Sequence, residues 1–363
     1  MKAAVLEECG KPLVVQDVEL GAPARREVVV RTAFAGLCHS DLHFITGDLA
    51  YRTPCVAGHE SAGVVEAVGA DVTYVKPGDH VISCLSVFCG QCKHCLSGNP
   101  HRCGGKATAR PRDEAPRISK GGAPVHQFMH LSSFAERMLV HENAIVKVRP
   151  DMPLDRAALI GCGVTTGVGA VLRTANVEAG ATVAVIGCGG IGLAAVNGAV
   201  LASASRIVAI DRLPEKLELA RQFGATDVVD ASEGDVVERV KELTAGGVNY
   251  SFEAIGLTAT VEQAFNMLRA GGTATVIGMT PMGAKVQIHG LDLLSEKKLQ
   301  GSNMGSNRFR LDMPILVDFY LSGRLTLDPL ISSRISLDEI NAGMDRLKTG
   351  AVARQLIAFP SPS

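Results

Sequence analysis

The sequence predicts an α/β protein in which a doubly wound parallel sheet is inserted into a β-rich domain, and three observations predict it. Up to about residue 160 the chain runs in short strand-like stretches such as EVVVRTAF, SAGVVEAVG and HVISCL, punctuated by Gly, Pro and Asp. Beyond Cys162 the rhythm changes. ATVAVIG, RIVAID, TDVVD, NYSFEAIG and GTATVIGM are strand-like, and stretches between them, PEKLELARQFG and TVEQAFNMLRAGG, carry helical apolar spacing. Alternating strand and helix makes the strands parallel, because each helix carries the chain back across a face of the sheet. From about Asn303 this alternation stops, and the chain closes with helix-like DMPILVDFYLSG and strand-like RQLIAFP. The boundaries read from these changes are 1–163 with 304–363 for the β-rich domain and 164–303 for the insertion.

A length of 363 residues suits two cores better than one. Hydrophobic content of 47% with 20% charged residues is that of an ordinary soluble protein. A net charge of −1 leaves no basic face for nucleic acid and no polybasic anchor for a membrane, so small molecules are the expected partners. The N-terminal MKAAVLEECGKPLVVQDVEL mixes charges into short apolar alternation and lacks the apolar core of a signal peptide. A cytoplasmic location is expected, with the ten cysteines in a reducing compartment. The uncharged stretch from Ala179 to Ser205 resembles a membrane span by hydropathy, but it contains GCGGIG after a β-branched run and reads better as a buried strand and helix.

Cys89, Cys92, Cys95 and Cys103 stand at steps of three, three and eight in FCGQCKHCLSGNPHRC. That spacing lets one looping lobe, about 86–104, wrap four thiolates around a tetrahedral Zn²⁺ with no position left for substrate. Chance cysteines or two disulfides are the alternatives, and a chain without secretory features favours the metal. The charged segment from Lys106 to Gly122 reads as a surface loop following the lobe.

Gly187, Gly189 and Gly192, with Gly190 between them, form G-x-G-x-x-G between the strand ATVAVI and the helix LAAVNGAVLA. Glycine serves the tight turn, close backbone approach to a pyrophosphate and packing of helix on strand, while the helix N-terminus favours the negative charge. Asp211 closes the next strand about twenty residues on, placed to accept from an adenosine ribose hydroxyl and to repel a 2′-phosphate, which points to NAD. Arg212 beside it could bind that phosphate or stack on adenine.

Cys38 in AGLCHSDLH, His59 in VAGHESAGVVEAVG and Cys162 in LIGCGVTTG lie far apart, and spacing alone does not bring them together. If they converge, two thiolates and an imidazole leave the fourth position of a zinc ion open. Taken with the cysteine ladder and GCGGIG, these motifs resemble the zinc-dependent alcohol dehydrogenases of the medium-chain dehydrogenase/reductase family, over about residues 1–358. The resemblance implies a GroES-like catalytic domain carrying an inserted Rossmann domain, catalytic zinc on Cys38, His59 and Cys162, structural zinc on the ladder, and hydride transfer between an alcohol and NAD. It assigns Ser40 and His43 to proton transfer, Asp41 to the ring of His59, and Glu60 to a place behind the metal. It gives His39 and Arg354 to the cofactor phosphates, Lys216 to the adenosine ribose, and Thr166 and Ile191 to the nicotinamide. Many relatives carry Arg where this chain has His39, which implies weaker hold on pyrophosphate.

By position in the motifs, Leu85, Phe128, Met129 and Met279 line an apolar pocket suited to medium-chain, aromatic or terpenoid primary alcohols, with secondary alcohols possible; ordinary core packing is the alternative for all four. The rival enzymes are a glutathione-dependent formaldehyde dehydrogenase, for which Arg110, Arg112 and Arg117 would supply charge, and a polyol dehydrogenase, which Cys162 disfavours. A non-catalytic NAD-binding scaffold is the rival from outside enzymes. The resemblance also implies a homodimer joined through the GTATVIGM strand, or a tetramer.

Overall fold

The computed structural model describes residues 1–111, 113–350 and 353–360, so Arg112 lies outside the described residues. The chain forms two compact units. One comprises Met1–Cys162, Arg308–Gly323 and the chain from Leu327 on, and the other Gly163–Asn307 with Arg324–Thr326.

The second boundary falls four residues later than the sequence suggests, and the reason is local. Gly305 has φ +65°, and a Cβ on Gly169 would stand 2.5 Å from its carbonyl oxygen, so two glycines let the turn Met304–Ser306 lie against the helix Thr165–Gly169. The short return Arg324–Thr326 is tied to the same unit by Asn197, whose Nδ2 donates to the Thr326 carbonyl at 3.0 Å.

Among the described residues this second unit holds a six-stranded parallel sheet in the order Asp227–Asp230, Arg206–Asp211, Thr182–Ile186, Val248–Glu253, Leu268–Val276, Lys298–Gly301. Its central strand TVAVI is apolar almost throughout because both faces are covered, and Ala184, Ile186, Val208, Ile210, Val248 and Phe265 share one core. The chain order reverses between Thr182–Ile186 and Val248–Glu253, which makes a crevice at the carboxyl ends of these two strands. Two expectations need correction. GTATVIGM is not an edge: its strand pairs on both sides, and the edge on that side of the sheet is Lys298–Gly301, a polar stretch that no apolar run announces. The helix before it stops at Asn266, and LRAGG belongs to the strand Leu268–Val276.

The first unit is built on a largely antiparallel sheet whose long strand Glu27–Gly36 pairs with Ser61–Val68, Arg354–Ala358 and Arg137–His141. A smaller sheet of His126–Gln127, Cys55–Val56, Lys2–Leu6 and Val14–Asp17 flanks it. The stretch flagged by hydropathy is the strand Thr182–Ile186 and the 12-residue helix Gly190–Leu201. A helical run at Leu154–Ala175 is long and apolar enough to cross a membrane by length and composition, but 78% of its apolar window is buried inside the protein, as in a core helix.

Candidate functional site

Cys38, His59 and Cys162 converge. Cys38 caps the short helix His39–Ile45, His59 lies two residues before the strand Ser61–Val68, and Cys162 sits in the π-helical turn Ile160–Val164. Such a bulge re-aims one side chain of an otherwise regular helix. Gly161 lets that turn approach the sheet, since a Cβ there would stand 2.9 Å from the Ser83 carbonyl oxygen. The three residues are 1%, 0% and 4% exposed, and their ligand atoms lie within 4.8 Å of one another. Cys162 Sγ is 3.3 Å from His59 Nε2, near the edge of about 3.5 Å that follows for a tetrahedral zinc with bonds of ~2.3 Å to sulfur and ~2.0 Å to nitrogen.

The surroundings of the trio decide its protonation. His59 Nδ1 lies 2.9 Å from Asp41 Oδ1, which leaves Nε2 as the nitrogen facing the sulfurs. Burial opposes charge on His59, and the Asp41 carboxylate outweighs it. Cys38 is held well below the usual thiol range, first by its hydrogen bond with Cys162 and then, against burial, by His59 and Arg354. Glu60 and Arg354 are both buried, with Nε of the arginine 3.6 Å from Oε1 of the glutamate. Gly36 makes room for that carboxylate, because a Cβ there would stand 2.2 Å from Oε1. Arg354 Nη2 is buried with no hydrogen-bond partner, so this guanidinium keeps a donor for an anion.

Ser40 Oγ is 3.7 Å from Cys38 Sγ, while His39 on the same turn is exposed. His43 Nδ1 lies 3.2 Å from Asp48 Oδ2, which also accepts from the Thr46 hydroxyl at 2.8 Å. Asp48 is a neighbour that sequence reading missed, for nothing in TGDL marks it apart from a turn residue.

The ladder closes into a second cluster. Sulfur separations of 3.9 Å for Cys89 and Cys95, 3.6 Å for Cys92 and Cys95, and 3.8 Å for Cys92 and Cys103 match the edges of a ZnS₄ tetrahedron, about 3.8 Å, and exclude disulfides at ~2.05 Å. Backbone amides turn inward: Cys92 N donates to Cys89 Sγ and Cys89 N to Cys103 Sγ, each at 3.3 Å. The amides of Gln91 and Cys92 hold the Cys89 thiol down at about 6.

In the second unit the glycine turn has the shape that a pyrophosphate needs. Gly187 has φ +92°, a Cβ on Gly192 would lie 1.7 Å from the Gly187 carbonyl oxygen, and one on Gly189 would meet nothing within 4 Å. Gly190 opens the helix, and no side chain caps that end. Ile191 is half-buried, and Thr166 is buried with its hydroxyl 3.4 Å from Met304 Sδ. Asp211 accepts from the amides of Cys188 at 2.8 Å, Arg212 at 2.8 Å and Leu213 at 3.1 Å, which ties the end of its strand to the glycine turn. Arg212 is exposed, and Lys216 is half-buried on the helix Pro214–Gln222.

The chain matches the family models of the alcohol dehydrogenase GroES-like domain over residues 24–150 and of zinc-binding dehydrogenase over residues 190–321. It is 40% identical to an alcohol dehydrogenase class-3 of Cereibacter sphaeroides, with 99% of each chain covered. The chain belongs to the zinc-dependent alcohol dehydrogenases. Among solved structures of this family it resembles the benzyl alcohol dehydrogenase of Acinetobacter calcoaceticus, with TM-score 0.93, 32% identity and 99% of each chain covered. A zinc-binding dehydrogenase of Sinorhizobium meliloti 1021 bound to NADP gives TM-score 0.84 at 29% identity, again over 99% of each chain. Three ligands in one cluster and four in the other fit the catalytic and structural zinc of an alcohol dehydrogenase.

Of the pocket candidates of this dehydrogenase, Phe128 stands against the catalytic cluster, its ring centre 6.0 Å from that of His59, while Leu85 packs on the core of Val87, Leu131 and Met138 and Met129 is partly buried. Met279 belongs to the other unit and is 41% exposed. The segment from Lys106 to Gly122 is more than the solvated loop its charges suggest. Arg117 is 8% exposed and donates to Glu27 Oε1 at 2.7 Å, to Gln127 Oε1 at 2.8 Å and to the Thr108 carbonyl at 2.8 Å. Arg110 donates to the same Glu27 carboxylate, with Nε 3.0 Å from Oε1. Both guanidiniums turn inward to a carboxylate that the sequence places far away.

Proposed function

We propose that this alcohol dehydrogenase catalyses reversible, NAD-linked oxidation of primary alcohols with an apolar medium-chain, aromatic or terpenoid body, and admits some secondary alcohols. The observation that carries the reading is the buried trio Cys38, His59 and Cys162, which offers three ligands where the lobe offers four. Zn²⁺ held there supplies a Lewis acid that acidifies an alcohol hydroxyl and polarises a carbonyl in the reverse direction. Ser40 takes the hydroxyl proton and His43 receives it further out, with Asp48 steadying the outer ring through Nδ1. Asp41 fixes the ring of His59, and Glu60 with Arg354 supplies a buried charge pair behind the ligands. The glycine turn holds the cofactor pyrophosphate and Asp211 selects NAD by refusing a 2′-phosphate, while His39 and Arg354, which has a buried donor to spare, keep the phosphate-binding role that the family resemblance gives them.

An apolar substrate is favoured over a glutathione adduct because every guanidinium nitrogen of Arg110 and Arg117 already donates to Glu27, Gln127 or a backbone carbonyl, which leaves neither free to hold an anionic ligand. The experiment is NAD reduction measured across alcohols of graded length and branching, with hydroxymethylglutathione alongside and metal analysis of the same sample. Two zinc ions per chain and turnover of simple alcohols are expected; Cys38→Ser abolishes turnover while NAD still binds. Activity retained by that variant overturns the reading, and turnover confined to the glutathione adduct overturns the substrate.

The protein is further proposed to work in the cytoplasm as a homodimer. The free strand edge Lys298–Gly301 and the exposed Leu291, Leu293 and Leu294 just before it support a second copy as the partner. Light scattering at micromolar concentration checks this, with a dimer expected and a monomer or tetramer contradicting it.

A further inference from the structure

We propose that Tyr51 is a positioning residue that shapes the alcohol pocket through the backbone of Met129, and that its hydroxyl favours flat aromatic alcohols over flexible aliphatic ones. The inference rests on the reading of the Cys38, His59 and Cys162 cluster as the alcohol site.

Phe128 is fully buried and stands against the His59 ring, so the backbone on either side of it sets one wall beside the metal ligands. That backbone is strained. Met129, His130 and Ser132 have φ of +51°, +62° and +63°, a region that side-chain-bearing residues adopt only when their surroundings hold them there. The Tyr51 hydroxyl is one such restraint. It donates to the Gln127 carbonyl at 3.0 Å and accepts from the Met129 amide at 3.0 Å, so a single oxygen ties together the two residues that flank Phe128.

The anchor on one side of this tie is itself rigid. Gln127 donates through Nε2 to the Leu139 carbonyl at 2.9 Å and accepts from Arg117 at 2.8 Å, and Arg117 is fixed by Glu27. On the far side, the Phe128 amide donates to Ser132 Oγ at 3.1 Å and closes the turn. The Tyr51 ring also packs edge-on to Phe128 and Phe44, with centres 4.9 Å and 5.5 Å away, while Phe44 and Phe128 are 5.0 Å apart. Tyr51 thus couples an aromatic trio to the left-handed turn beside it. A wall held in this way loses no further order when a flat ring is laid on it, whereas a loosened Met129, with its flexible thioether chain, adapts to many shapes.

Tyr51→Phe removes the hydroxyl and keeps the ring, which separates the tie from the packing. Hydrogen exchange of peptides covering residues 127–132 is expected to quicken in the full-length variant while its zinc content stays at the wild-type value. The ratio of kcat/KM for benzyl alcohol to that for 1-hexanol is expected to fall about tenfold, mainly through a higher KM for benzyl alcohol, with kcat nearly unchanged. Unchanged exchange overturns the positioning role, and faster exchange with an unchanged ratio overturns the selectivity. Should the wild-type protein oxidise neither alcohol, the functional reading itself has failed and the selectivity claim falls with it, whereas the exchange measurement still decides whether the hydroxyl holds the turn.

Discussion

Asp41 Oδ1 stands 2.9 Å from Nδ1 of His59, and the second oxygen of the same carboxylate accepts from the Cys38 amide at 3.3 Å. One buried side chain thereby orients a metal ligand by its ring and another by its backbone. Asp41→Asn keeps the shape and removes the charge, and about a 10–100-fold loss of zinc affinity at the catalytic cluster is expected. Zinc release to a colorimetric chelator checks this: one ion per chain leaves faster, and the ion on the lobe leaves at the wild-type rate.

The lobe makes a separable prediction. Its sulfurs are only partly buried and few apolar side chains pack there, so the metal is its core. Cys103→Ser is expected to lower bound zinc from two ions per chain to one and to cost several kcal/mol, about 5–10 °C in Tm. Calorimetry with metal analysis of the same samples tests it, and an unchanged melting profile contradicts a structural role.

What could be read in the sequence follows from the range of each signal. The glycine turn, its strand and Asp211 are neighbours along one βαβ unit, so local pattern shows them together, and the cysteine ladder likewise lies within a single loop. Cys38, His59 and Cys162 come from three separate elements, and only their motifs' resemblance to a family joined them ahead of the structure. The burial of Arg117 was illegible because Glu27, its partner, lies 90 residues away and the segment from Lys106 to Gly122 that carries the arginine is rich in charge and poor in apolar residues. The edge role of Lys298–Gly301 was hidden too, since a four-residue strand with mixed exposure carries no alternation to read. Tyr51 carried no signal at all, because its partners are backbone atoms at positions 127 and 129.

The stability of the protein should fall with acidification in two stages. Burial holds His141 down at about 4, with the charge of Arg26 adding to it, and its Nδ1 accepts from the Asn143 amide at 3.0 Å, a bond that needs the unprotonated nitrogen. An unfolded histidine binds its proton below pH ~6.5, so between pH ~6.5 and 4 the unfolded chain carries one more proton and stability drops by up to about 1.4 kcal/mol per pH unit. Glu27 acts lower down. Burial pushes its carboxyl up, but Arg110, the Ala24 amide and Arg117 overcome this and hold it at about 2, so its contribution is present above pH ~4.5 and is lost as pH falls toward 2. Tm measured against pH should therefore fall from pH 6.5 downward, and His141→Gln should shrink the upper stage, the remainder coming from His130, which burial also holds down, while leaving the lower stage in place.

Asp211 accepts three backbone amides, which orient its carboxylate and leave one lone-pair position to spare beside the exposed Arg212. Asp211→Asn removes the charge that repels a 2′-phosphate and one acceptor for a ribose hydroxyl. A charged hydrogen bond contributes about 1.5–3 kcal/mol, so KM for NAD should rise by roughly 10–100-fold. The ratio of kcat/KM for NADP over NAD should rise in step, since the repulsion is gone and the exposed Arg212 next in the chain offers a positive charge to the added phosphate. Initial-rate kinetics with both cofactors at a single alcohol concentration make the comparison. A variant that loses both cofactors equally would mean that the carboxylate serves only to brace the glycine turn through the Cys188 amide.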